Sequence, residues 1–448
     1  MKRLNVRSTV FFLVFFLGVA TCFPQYYELT DRKDRSRKIR FELVNNLMVL
    51  PLEVNGTPLN FILDSGVSKP ILFSLAKQDS IGLKNVSKIT IRGLGSGEPI
   101  EALRSAGNTF KLGGLKNINQ DLYVVLDRDI NLSPTLGIQV HGIIGHDLFR
   151  DYVVEVNYSR KFLRFHDPDT YSPGNPKNAI RLPLEVEDQK AYLHGNVVVE
   201  GQQEVPVKLL MDTGSTDALW LFPAPEKGLP VPKKHYEEFL GKGLSGAIYG
   251  KRTRIKSLRF GDFVIEGSKA AFPHMDSFRL AGDLGDRNGS AGGDLLKRFN
   301  MVVNYPKGWI SLKKNTRFDE PFQFNHAGIE LEHSGVRFIA ERIADANNIV
   351  RNDSDTFGNV HILLGNQTRL SLVPEIVVSA IRAGSPAEEV GLREGDVILA
   401  VNGRPVDRYK LQEVLQMINE RKGRRVRLLI ERYNQDLLFS FVIRELFE

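Results

Sequence analysis

Cysteine occurs once in the 448-residue chain, at Cys22. One thiol can close no intrachain disulfide and assemble no thiolate metal cluster. Histidine is sparse, and no HExxH or comparable ligand spacing is present. The nearest pair, His141 and His146 beside Asp147, is of a kind that usually serves structure. No metal or other cofactor is therefore expected. Long apolar runs are also missing. The most apolar stretch, Val10 to Ala20, has 11 residues, short of the ~18 that a membrane-spanning helix needs. A strong charge bias is absent too: Lys2, Arg3 and Arg7 supply three of the net +7. With no RNP, zinc-finger or recognition-helix signature, nucleic acid is not an expected partner. Hydrophobic residues at 42% and charged residues at 25% exclude collagen-like, coiled-coil and wholly disordered chains. The length predicts two to four domains.

The basic residues before Val10, the apolar run, and the small residues Gly18, Ala20 and Thr21 predict a signal peptide over residues 1–22. The chain is then expected to be exported to the periplasm, outer envelope or exterior of a bacterium. Val19-Ala20-Thr21 before Cys22 resembles a lipobox, with threonine atypical at its last position. Cys22 is a candidate lipid-anchor site, and plain cleavage near Ala20 or Cys22 is the favoured alternative.

An internal duplication organises the first 318 residues. Phe61-Ile62-Leu63-Asp64-Ser65-Gly66 recurs as Leu209-Leu210-Met211-Asp212-Thr213-Gly214, 148 residues later. Gly142-Ile143-Ile144-Gly145 recurs as Gly289-Ser290-Ala291-Gly292, 147 residues later. Two motifs at nearly one offset mark a duplicated unit. Each copy reads as β-rich, with short apolar or alternating runs bounded by Gly, Asn or Asp, such as Leu47 to Val54 and Val207 to Met211. The turn-rich stretch His166 to Pro176 separates the copies.

An apolar strand ending in Asp, then Ser or Thr, then Gly presents a carboxylate on a tight turn, and the glycine lets other backbone approach closely. If the copies pack symmetrically, Asp64 and Asp212 meet at a two-fold axis. Two touching carboxylates cannot both ionise cheaply, so they share one proton. One can then act as base on a water while the other polarises a carbonyl.

These motifs resemble those of the pepsin-like and retropepsin-like aspartic proteases, over roughly residues 40–318. The resemblance implies a mainly β fold: a bilobal pair of β-barrels with lobe 1 at 27–170 and lobe 2 at 177–318. It carries over Asp64 and Asp212 as the catalytic pair, with Ser65, Gly66, Thr213 and Gly214 supporting the catalytic loops. The second bracing segment, Ser290-Ala291-Gly292, is smaller and more polar than its counterpart, and the disulfides of secreted pepsins are absent. Two glycine-rich stretches follow the aspartates. They make Gly95, Ser96 and Gly97, and Ser245, Gly246 and Tyr249, candidates for flaps over the substrate; an ordinary glycine turn is the alternative. The stretch Gly93 to Gly97 does not match GxGxxG, and Asp283 to Gly289 misses the EF-hand spacing.

After Lys313 to Glu320, a charged stretch that reads as a linker, the pattern changes. Gly384-Ser385-Pro386-Ala387, Gly391-Leu392, Gly395-Asp396 and Val401-Asn402-Gly403 resemble a PDZ domain of the kind found in bacterial proteases, assigned to 322–448. Asp407 is the expected cap of a helix carrying Leu411, Val414, Leu415 and Ile418. The resemblance implies a peptide groove at Ala327, Gly328, Ile329, Leu411 and Leu415, with the loop's N–H groups cradling a peptide's C-terminal carboxylate. Phe322 and Phe324 leave open whether this α+β module is tethered freely or packs on the lobes.

The leading expectation is an exported aspartic endopeptidase acting on peptides or proteins, with a PDZ module that binds peptide or substrate termini. The alternative is a catalytically inactive peptide-binding envelope protein using the PDZ groove.

Overall fold

The computed structural model describes residues 26–30, 35–75, 80–95, 97–127, 130–174, 177–278, 284–342, 368–420 and 423–447. The signal segment with Cys22, and Ser96 of the first flap candidate, lie outside the described residues.

The chain is mostly β, in two lobes followed by an α+β domain. In lobe 1, Leu47–Val54 turns back into Thr57–Leu63 through Asn55 and Gly56, both at positive φ, the geometry that an Asn-Gly hairpin turn requires. Thr57–Leu63 then pairs in parallel with Gly142–Ile144. Lobe 2 repeats the arrangement: Lys190–Val198 pairs with Val205–Met211, which pairs in parallel with Gly289–Ala291.

The lobes join through one shared sheet. Val153–Asn157 of lobe 1 lies antiparallel to Phe299–Asn304 of lobe 2, with Val154 opposite Val303 and Val156 opposite Met301. At the repeat offset Val154 corresponds to Met301 and Val156 to Val303, so each residue faces the counterpart of its neighbour. That is the signature of a two-fold axis. Phe61, Leu63, Leu209, Met211, Leu148 and Leu295 belong to a single apolar core spanning both lobes. Fully burying a side chain of this size contributes about 1.5–3 kcal/mol, so this core holds the two catalytic-type loops against each other.

The C-terminal domain has its own core, with Ile329, Leu331, Val414, Ile418 and Leu428 among its members. Its long hairpin pairs Ile329–Arg342 with Thr368–Ile381. The helix Leu411–Asn419 does not start at Asp407, which sits in the 3-10 turn Val406–Arg408. Tyr409 and Lys410 intervene in extended conformation, and the cap is made by Glu413, whose carboxylate accepts the Lys410 N–H at 2.8 Å.

The expected linker is also built into the fold. Lys313 and Lys314 end the strand Trp309–Lys314. Phe318 is buried against Phe263 and Phe299, and the Arg298 guanidinium donates to the carbonyls of Arg317, Phe318 and Glu320. The charged stretch hides one large aromatic, which anchors it.

The C-terminal domain packs on both lobes. Phe447 lies tilted against Tyr236 and edge-on to Phe324, and Arg254 lies over both Phe447 and Phe324. Arg382 lies over the Tyr236 ring, its Nη1 3.8 Å from Glu238 Oε1. Toward lobe 1, Lys410 Nζ is 2.8 Å from Glu42 Oε1, and Gln412 Nε2 donates to the Leu136 carbonyl at 2.8 Å.

Candidate active site

Asp64 and Asp212 each leave the end of a strand held on both sides. The Asp64 N–H donates to the Ile144 carbonyl at 2.8 Å, and the Asp212 N–H to the Ala291 carbonyl at 2.9 Å. The bracing strands come this close because glycines follow them. A Cβ on Gly145 would fall 1.7 Å from the Asp64 carbonyl oxygen, and one on Gly292 2.4 Å from that of Asp217. The small, polar second brace, Ser290-Ala291, is buried and pairs in full register. Its departure from the first brace leaves the loop unperturbed.

Across the axis the loops interlock. The Ser65 N–H donates to Thr213 Oγ1 at 3.0 Å, and the Thr213 N–H to Ser65 Oγ at 3.1 Å. Thr213 Oγ1 donates to the Leu63 carbonyl at 2.7 Å, and Ser65 Oγ to the Met211 carbonyl. Both hydroxyls are buried and each both donates and accepts, so their desolvation is compensated.

The two aspartates are brought together beside this interlock. Asp64 Oδ1 accepts the Gly66 N–H at 2.8 Å. A Cβ on Gly66 would meet both Asp64 Oδ1 and Asp212 Oδ1, and one on Gly214 would collide with the Asp64 carboxylate. Burial, then the facing Asp212 charge, push the Asp64 carboxyl up to about 7 against the Gly66 hydrogen bond. Burial also raises Asp212, opposed by Arg287 and by the N–H groups of Gly214 and Ser215. Such a pair holds one proton between two carboxylates over a broad pH range.

The glycine-rich stretches are the tips of two hairpins that meet. One hairpin joins Val86–Ile91 to Ile100–Leu112, the other Tyr236–Gly243 to Gly246–Arg254. Gly97 N–H donates to the Ser245 carbonyl at 2.7 Å, Ser245 N–H to the Leu94 carbonyl at 2.9 Å, and Gly93 N–H to Ser245 Oγ at 3.1 Å. Gly95 N–H reaches the Ser277 carbonyl at 3.0 Å. A Cβ on Gly95 would sit 2.4 Å from the Ser245 carbonyl carbon, so the contact demands glycine. Gly246, at φ 119°, closes the second turn. Tyr249 lies further down that hairpin, its ring edge-on to Phe239 at 5.6 Å and half-exposed.

Aspartates, tips and C-terminal domain line a half-open cavity of about 2160 Å³, with Asp64, Asp212, Leu94, Leu244, Gly328 and Leu415 among its walls. The other expected groove residues are placed differently. Leu411 is buried in the domain core. Gly137 of lobe 1 lies against it and against His333: a Cβ there would come 3.1 Å from Leu411 Cβ and 3.2 Å from His333 Cε1. The expected carboxylate cradle is closed. The Ala327 N–H donates to Asn419 Oδ1 at 3.0 Å, and the N–H groups of Gly328 and Ile329 to Asn325 Oδ1 at 2.9 and 3.2 Å. Two asparagines, invisible as ligands in the sequence, occupy the donors.

The sequence reading also missed a buried ionic cluster in lobe 2, beside the cavity. Asp217 receives two contacts from Arg252 Nη1 at 2.6 and 2.7 Å and the Trp220 indole N–H at 2.8 Å, and Arg252 Nε also reaches Glu238 at 2.6 Å. Arg252 and Lys269 hold the Asp217 carboxyl down to about 2 against its burial. His141 and His146 have structural surroundings: His141 Nδ1 accepts the Asn60 N–H at 2.8 Å, and His146 Nδ1 is 3.9 Å from Asp147. Among the described residues, no group of three or more His, Cys, Asp or Glu is placed to hold a metal ion.

Residues 50–148, most of lobe 1, match the aspartyl protease family model, and residues 377–432 match the PDZ domain model. The chain thus combines an aspartyl protease domain with a C-terminal PDZ domain.

Proposed function

We propose that the protein is an exported endopeptidase whose Asp64 and Asp212 hydrolyse peptide bonds. The observation that carries this reading is the reciprocal Ser65–Thr213 interlock, which holds two half-buried carboxylates together on the cavity wall with Asp64 raised to about 7. Arg287 favours the ionised form at Asp212, so Asp212 is the base and Asp64 the proton holder. Asp212 takes a proton from a water whose oxygen attacks the peptide carbonyl carbon. Asp64 gives its proton to the carbonyl oxygen. The C–N bond then breaks as the amine leaves with the proton gained by Asp212, while one hydroxyl on the tetrahedral carbon returns its proton to Asp64 and becomes the carbonyl of the product acid. The hairpin tips close the cavity over a bound chain, and the PDZ domain forms one of its walls. Export rests on the basic residues and apolar run before Cys22.

The inactive peptide-binding alternative has less support, since the donors that would hold a peptide terminus are taken by Asn325 and Asn419. Incubating the mature chain with a peptide library, with and without pepstatin, tests the proposal. Pepstatin-sensitive internal cleavage is expected; no cleavage between pH 3 and 8 would contradict it.

A further inference from the structure

Arg287 stands at the end of the second bracing strand, on the wall of the central cavity. Its Nε donates to the Gly289 carbonyl at 2.7 Å, and its guanidinium lies over the Phe222 ring at 5.3 Å. It is close enough to be the strongest influence favouring ionised Asp212. Yet among the described residues it makes no ion pair within 4 Å. Of the other cations lining the cavity, those nearest in lobe 2 are paired, Arg252 with Asp217 and Glu238, Lys269 with Asp217 and Asp294, and Lys297 with Asp294, whereas Arg92, Lys190 and Arg317 make no ion pair within 4 Å among the described residues. The remaining charged or titratable influence on Arg287 is Tyr192, and the cation over that ring is Lys208, already held by Glu185, Glu187 and Asp286. Apart from the more distant Asp212, this partly buried guanidinium has no carboxylate partner among the described residues, and it offers a planar fork suited to a carboxylate.

The duplication supplies an internal comparison. His141 Nδ1 accepts the Asn60 N–H while its carbonyl accepts from Phe73. Asn288 Oδ1 accepts the Lys208 N–H while its carbonyl accepts from Phe222. His141 and Asn288 are therefore equivalent, and so are the residues before them, Val140 and Arg287. Val140 is fully buried, its backbone tied to Ser133 Oγ. At this position the pseudo-symmetry is broken: lobe 1 has the buried, apolar Val140, and lobe 2 has on the cavity wall a cation with no ion pair within 4 Å among the described residues.

We propose that Arg287 forms a subsite for an acidic substrate side chain, so that the protein selects polypeptides with Asp or Glu beside the scissile bond, on the side lying against lobe 2. The inference rests on the peptidase reading, but binding can test it separately. Peptides identical except for Glu or Gln at each position flanking the cleavage site are titrated onto full-length Asp64→Asn protein by fluorescence anisotropy. The same pairs are assayed for hydrolysis by the protein with Asp64 intact. Glu peptides are expected to bind about tenfold more tightly at one position only. Adding Arg287→Met should abolish the difference, and Arg287→Lys should retain part of it. Arg287→Glu should favour a Lys-containing peptide. Equal binding of Glu and Gln peptides, or a preference that survives Arg287→Met, would overturn the acidic subsite. Selective binding without hydrolysis would uphold the subsite and count against the peptidase instead.

Discussion

Ser65 and Thr213, 148 residues apart in sequence, each present a backbone N–H to the other's hydroxyl oxygen, at 3.0 and 3.1 Å. This exchange fixes the separation and orientation of the two aspartates, because each hydroxyl is one residue from a carboxylate. Replacing Ser65 by Ala leaves the Thr213 N–H buried without an acceptor, at a cost of about 1–3 kcal/mol. The expected result is a lower Tm and a kcat that falls more than KM changes. A variant with unchanged melting and kcat would show that the interlock does not set the geometry.

The pH dependence follows from the raised Asp64 carboxyl. Activity needs a proton on Asp64, so it should fall as pH rises through about 7. It should also fall in acid, as Asp212 takes up a proton. The stability sign is the same on the alkaline side. A carboxyl raised on folding contributes stability below its ordinary pKa of 3.8, and that contribution is lost as pH climbs through about 7. Asp64→Asn removes this loss. Its Tm should exceed that of the parent at pH 8, with the gap closing toward pH 4. Calorimetry at the two values checks both the sign and the window.

Asp217 anchors the ionic cluster under the second hairpin. Asp217→Asn leaves the buried Arg252 with Glu238 as its remaining close carboxylate. Loss of one partner of a buried ion pair costs about 3–5 kcal/mol. Chemical denaturation should register a drop of that order. A change within about 0.5 kcal/mol would mean that Glu238 and water suffice for the Arg252 charge.

The PDZ domain bears on the protease half through Arg382, Phe447 and Gln412. Tyr236 and Glu238 belong to the strand that leads to the second hairpin tip. A chain ending at Glu320 keeps the Phe318 anchor and should stay folded, but with that strand loosened. Its KM for short peptides should rise several-fold. Unchanged short-peptide kinetics would show the packing to be incidental to the cleft.

The duplication, the mainly β class and the PDZ module were legible because each rests on local signals: Asp-Ser/Thr-Gly turns, alternating apolar runs, Asn-Gly turns. The loop positions of Asp64 and Asp212 were legible for the same reason. The Phe318 anchor was hidden because a charged stretch outweighs one aromatic in any local reading. Asn325 and Asn419, which close the expected carboxylate loop, are 94 residues apart and meet through tertiary packing alone. Arg287 was missed for a subtler reason. Its proposed role rests on its making no ion pair within 4 Å among the described residues while facing the cavity, and a sequence cannot show either.

The most direct test is hydrolysis of one well-cleaved peptide by the full-length protein and by its Asp64→Asn and Asp212→Asn variants, with melting curves recorded alongside. The account predicts that each single variant stays folded and loses at least ~1000-fold in kcat/KM, since neither amide can serve as the base or carry the shared proton. A folded single variant that keeps appreciable activity would contradict a two-aspartate mechanism.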